Sequence, residues 1–181
     1  MKGLVFRTFL DMVEQQFSLD IVDQMIERST LSTQGAYTNV GDYDHHELLT
    51  MVTHLSEMTD IPVPQLVHAF GGFLLQYFEK AHSKYFTAHL DTFEFLSTLE
   101  NQIHVDVRKI HQNAEVPSFD YDLQSPDVLV LTYRSNRPFA DLAHGLIEAT
   151  IAHYADNIVV HRHDVSVDVG AQAVFTLTRT R

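Results

Sequence analysis

The sequence predicts an α+β fold, helices first and an antiparallel sheet after them, and three observations carry that expectation. Apolar residues recur at three- and four-residue steps through most of the first 110 positions, as they do on one face of a helix. Beyond Pro117 the period drops to two, the pattern of strands with one buried face. One further helical stretch interrupts the strands, an order that suits α+β chains. The expected arrangement is an N-terminal helical lobe, then a lobe with a four-stranded antiparallel sheet and a packed helix.

The elements follow in chain order. Between Leu4 and Phe17, Val5, Phe6, Phe9, Leu10, Val13 and Phe17 form one apolar stripe, hence a helix. Ser18 is placed to cap a second helix through Ile21, Val22, Met25 and Ile26. Thr30 to Asp42 loses the periodicity and holds Gly35, Asn39 and Gly41, so it reads as a loop. Asp44 with Glu47 resembles a capping box opening a helix through Leu48, Met51, Val52 and Leu55. Pro64 suits the first position of the next helix, whose interior holds Gly71-Gly72. Two glycines there cost roughly 1 kcal/mol each relative to Ala, so either the helix breaks or something flat and bulky lies against it; the second is preferred. Asp91 to His111 reads as one long helix striped by Leu96, Leu99, Ile103, Val107 and Ile110. A hairpin turning at Ser125-Pro126-Asp127, a helix from about Phe139 to Tyr154, and strands at Asn157–Val167 and Ala171–Thr180 around Gly170 complete the chain.

Composition removes several functions. With 45% hydrophobic residues, 12 Phe and 7 Tyr, 181 residues bury a sizeable core, so disorder is excluded. A net charge of -12 with scattered Lys and Arg argues against nucleic acid. The absence of cysteine excludes disulfides, iron-sulfur clusters and thiolate ligation of haem. The first residues are too charged for a signal peptide and no apolar run spans a membrane, so a cytoplasmic protein is expected. No nucleophile-base pair, phosphate loop or kinase motif is present, so no enzyme activity is expected.

One stretch does point to chemistry. In Tyr133-Arg134-Ser135-Asn136-Arg137-Pro138 an extended chain turns Tyr133, Ser135 and Arg137 to the same side. A phenol, a hydroxyl and a guanidinium there can all donate, which suits a carboxylate or phosphate. Alone, so short a pattern is more often a polar strand end whose Arg pairs with a neighbouring acid. Upstream, His104 stands at the edge of an apolar helical stripe, where it can reach the buried side. The two together suggest haem, a histidine for the iron and a donor cluster for the propionates. His111 is a lesser candidate, and most other histidines, including His45, His46, His54 and His82, read as solvated. His161 and His163 share one strand face and could hold a metal, without an evident third ligand.

These motifs make the chain resemble the H-NOX (HNOB) family, the haem-nitric oxide/oxygen binding domains related to the sensor domain of soluble guanylate cyclase. It opens Met1-Lys2-Gly3, carries Ile103-His104 at the place of the proximal histidine and Tyr133-x-Ser135-x-Arg137 as the propionate motif. Phe139 to Glu148 ends in Gly145-Leu146-Ile147-Glu148, as the family does. The resemblance spans nearly all of the chain, read as one domain, 1–181, with a distal helical subdomain at about 1–62 and the haem-binding helix and sheet at 63–181. It implies haem b (iron protoporphyrin IX) between the lobes with iron on His104, and Pro117 pressing on its plane. Val5, Phe9, Phe73, Leu74, Leu142 and Leu146 fall at distal-pocket positions.

Oxygen-holding members carry a tyrosine where this chain has Leu142 and an asparagine where it has Leu74. The resemblance therefore implies a ferrous haem that binds NO and CO and excludes oxygen. It also implies signalling in trans, to a histidine kinase of a two-component system or to a cyclic-di-GMP enzyme (diguanylate cyclase or phosphodiesterase), once NO weakens the bond to His104. Two other readings are a haem enzyme such as a peroxidase, which would need a distal acid-base pair, and a non-haem module binding a carboxylate ligand such as a lipid.

Overall fold

The structure, a computed structural model, describes residues 1–110 and 115–180; His111 lies outside the described residues. The helices are α1 (Gly3–Gln16), α2 (Leu19–Ser29), α3 (His45–Thr59), α4 (Val63–Ala81), α5 (Ser83–Thr87), α6 (Thr92–Thr98), α7 (His104–Ile110) and α8 (Ala140–Tyr154). The strands are β1 (Ser118–Ser125), β2 (Val128–Ser135), β3 (Ile158–Val165) and β4 (Ala171–Arg179).

Local chemistry sets most boundaries. Ser18 Oγ accepts from the Ile21 amide at 3.2 Å and opens α2, which ends on Thr30 in the left-handed region at φ 47°. Asp44 caps α3 through the His46 amide, but Glu47 does not complete the box. Its carboxylate accepts instead from Ser32, Thr33 and Tyr37 at 2.5, 2.7 and 2.7 Å. Glu47 thus pins the loop between α2 and α3, because three hydroxyls held by tertiary contacts outcompete one local amide. Pro64 falls one position inside α4, after Val63. The long helix expected from Asp91 onward is divided, since a π-helical turn at Leu99–Ile103 separates α6 from α7 directly before His104.

The sheet is antiparallel throughout, in the order β1-β2-β4-β3. Its inner face is built from Leu129, Leu131 and Tyr133 on β2 against Leu177, Phe175 and Ala173 on β4, each pair in register and all buried. Gly170, at φ 79°, turns β3 into β4, and any Cβ there would meet the Ser135 carbonyl.

α4 runs unbroken through Gly71-Gly72, and the backbone of α8 lies against it at Gly71. A Cβ on Gly71 would stand 2.5 Å from the Leu142 carbonyl oxygen; one on Gly145 would stand 1.9 Å from that of His68. α4 and α8 therefore cross at backbone contact through Gly71 and Gly145, while a Cβ on Gly72 would only touch the Ala149 methyl at 4.0 Å. Two apolar clusters meet at this crossing. One gathers α1 to α3 with Leu66, Val67, Phe70 and Leu74 of α4. The other gathers Leu75, α6, the sheet and the face of α8 carrying Ala143, Ile147 and Ile151.

Candidate functional site

His104 begins α7 with its side chain only 13% exposed. Its Nδ1 lies 3.0 Å from Glu100 Oε2, four residues back across the π turn, and Nε2 bonds no described residue. The Glu100 carboxylate also accepts from Arg108 at 2.6 Å and from the Phe119 amide at 3.3 Å, tying the helix to the start of β1. Burial would raise the Glu100 pKa, but the hydrogen bonds from Arg108 and His104 outweigh it and hold the group below the ordinary carboxylate value. Burial lowers that of His104 despite the bond to Glu100, so the imidazole is neutral, the form that ligates metals. Glu100 holds the ring on Nδ1, which leaves Nε2 as the nitrogen free to take a metal.

Phe119 stands between His104 and the donor cluster, its ring 5.9 Å from that of His104 and 5.4 Å from that of Tyr133. Tyr133 is buried, which raises its phenol pKa against the pull of Ser135 and Arg137, so it remains a donor. Ser135 follows on the same face of β2. Arg137 lies beyond the strand end, in a bend where its amide donates to Ser135 Oγ at 3.1 Å. Its guanidinium grips the Glu115 carboxylate at 2.6 Å and the Glu115 carbonyl at 3.0 Å. The neighbouring-acid pairing is thus realised, with Arg137 alone of the three donors holding the carboxylate. Glu115 is itself 72% exposed, so a better-placed anion can displace it.

The six apolar candidates come together. Phe9 and Leu74 are buried, and Val5, Phe73, Leu142 and Leu146 pack on the same cluster, with Phe9 edge-on to Phe70. No hydrogen-bond donor stands on any of these side chains. Pro117 is half-buried immediately before β1. His161 and His163 are exposed on β3 and join no group of three metal-ligating side chains among the described residues. His45 and His54 are half-buried rather than solvated, His54 bonded to Ser29 and His45 edge-on to Phe139. Glu100 and Phe119 were not among the sequence candidates. The four-residue step from Glu100 to His104 is the signal that marks the first; nothing local marks the second.

The family model for haem-NO-binding proteins matches residues 2–162. The chain belongs to the H-NOX family. An H-NOX protein of K. algicida, solved unliganded with Fe(II), superimposes with a TM-score of 0.93 at 31% identity, covering 100% of this chain and 97% of that one. The H-NOX of Shewanella woodyi, solved in its Fe(II)CO state bound to IWP-051, gives 0.84 at 34% identity over 99% of this chain and 95% of that one. Soluble guanylate cyclase gcy-35 of Caenorhabditis elegans is 27% identical over 143 residues, 76% of this chain. The chain spans about a fifth of the length of that cyclase. The donor set fits the cofactor this family is named for: a buried neutral imidazole with a free Nε2 on one side, and on the other three donors of which Arg137 already holds a carboxylate. Among the described residues, no helix is long and apolar enough to cross a membrane.

Proposed function

We propose that this H-NOX chain is a haem b gas sensor of the cytoplasm that binds NO and CO, excludes oxygen and reports to a separate signalling protein. The observation that carries the reading is His104, buried, neutral, oriented by Glu100 and presenting Nε2. Haem, when bound, supplies the ferrous centre at which the gas is held. His104 Nε2 would be the protein's ligand to the iron, and Tyr133, Ser135 and Arg137 would receive the propionates, Arg137 exchanging them for Glu115. Pro117 would line the cofactor beside Val5, Phe9, Leu74, Leu142 and Leu146, whose apolar side chains would form its roof.

That roof sets the selectivity. Bound oxygen draws electron density and needs a distal donor to hold it, whereas NO and CO need none. The side chains of that roof carry no acid-base pair of the kind a peroxidase uses, which favours a sensor over a haem enzyme. Signal output begins at Glu100, because its two oxygens join His104 to Arg108 and to the Phe119 amide. A displaced imidazole therefore pulls on β1 as well as on its own helix. The output partner is a histidine kinase or a diguanylate cyclase or phosphodiesterase acting in trans.

The Arg137–Glu115 pair would equally serve a non-haem module for a lipid carboxylate, and one spectrum separates the two. Protein purified with haem supplied should show a Soret band, remain ferrous in air, and shift with NO and CO. A colourless product after reconstitution with hemin would overturn the proposal.

A further inference from the structure

We infer a second metal site, independent of the haem reading, formed by His68 of α4 with His144 and Glu148 of α8 and suited to a divalent transition ion such as Zn2+. His144 and Glu148 are four residues apart, on one face of α8. His68 reaches them from the other helix, and its position is fixed by the same backbone contact that requires Gly145, since the His68 carbonyl is what a Cβ there would strike. The two rings meet edge to face at 4.9 Å.

The ligand atoms of the three side chains lie within 4.8 Å of one another. His68 Nε2 is 3.1 Å from one Glu148 oxygen, and His144 Nε2 is 3.3 Å from the other. Bonds of about 2.0–2.1 Å in a tetrahedral site put ligand atoms about 3.3 Å apart, so little movement would close the three around an ion. Two imidazoles and one carboxylate, with water at the fourth position, are a ligand set zinc takes. His144 Nε2 is shut off from solvent, yet it makes no hydrogen bond of acceptable geometry, an unmet demand that a metal bond would satisfy. Glu148 is about half exposed, which gives the ion an entry. The charge of Arg162, which bears on His144, is balanced by Asp141 and Asp164.

The remaining histidines need a control. The Asp44, His45 and His46 group comes from three consecutive residues at the start of α3, where Asp44 already caps the helix, and among the described residues His161 and His163 lack a third ligand. Full-length, haem-loaded protein is stripped with a chelator, titrated with ZnCl2 by calorimetry, and assayed for zinc after dialysis. One zinc per chain is expected. His68→Ala and Glu148→Gln should each weaken it by more than the roughly 10- to 100-fold that loss of an outer-sphere partner costs. The double variant His161→Ala/His163→Ala should bind as the parent does. An unchanged Soret band in each variant shows that the fold is retained, and His68 is exposed enough for its loss to be tolerated. Absence of zinc uptake, or uptake that survives both substitutions, overturns the assignment.

Discussion

His104 shows how much one side chain depends on its neighbours. A lone buried imidazole is ambiguous, since either nitrogen can ligate; the Glu100 carboxylate at 3.0 Å on Nδ1 removes the ambiguity. Replacing His104 with Gly should abolish the Soret band, and added imidazole should restore it; a variant that keeps its colour unaided would refute the axial role. Glu100→Gln weakens a charge-assisted bond, so the iron–histidine stretching band in resonance Raman should move to lower frequency, and an unmoved band removes Glu100 from the mechanism. The histidines also set a pH dependence. Burial depresses the pKa of His45, His104 and His144 below the ordinary value of about 6.5. A group depressed in the folded state binds fewer protons there than when unfolded. Its stabilising contribution is whole above about pH 6.5 and is lost as pH falls through the folded value. The melting temperature of haem-free protein should therefore fall as the solution is acidified below about pH 6.5, and His104→Gln should flatten part of that fall.

Among the elements, the α4–α8 crossing is where sequence and structure part company. The glycine pair was visible as an anomaly in a helix, but its cause lies in another helix about seventy residues away, which no local pattern encodes. Gly145, which shares the close contact with Gly71, and Gly72, which does not, consequently behave in opposite ways. Gly145→Ala drives a methyl into the His68 carbonyl and should cost about 1–3 kcal/mol or more in urea unfolding. Gly72→Ala meets nothing nearer than the Ala149 methyl at 4.0 Å, and should gain about 0.5–1 kcal/mol as helical entropy is saved. Equal effects at both positions would contradict the packing described. The π turn before His104 was equally illegible, because the apolar spacing from Leu96 to Val107 in the sequence runs through it without a gap.

At the scale of the molecule, α4 and α8 each feed both apolar clusters, so they form the joint between the helical and sheet halves. Leu142, on α8 at this joint, is the position at which the proposed gas selectivity is tested. Leu142→Tyr would put a phenol into the apolar roof and should convert the ferrous protein to one with a stable oxy spectrum in air; a spectrum unaffected by oxygen would count against the roof as the selectivity filter. The order of helices first and antiparallel sheet after, and the hairpin, were legible in the sequence alone, because periodicity acts over a few positions and survives whatever packs around them. Three things were decided only in three dimensions: the Glu100 clasp on His104, the aromatic wall Phe119 makes between His104 and Tyr133, and the glycine contact that seats His68 beside His144 and Glu148. Each joins residues through closeness of backbones or orientation of a ring, and neither is fixed until the whole chain has folded.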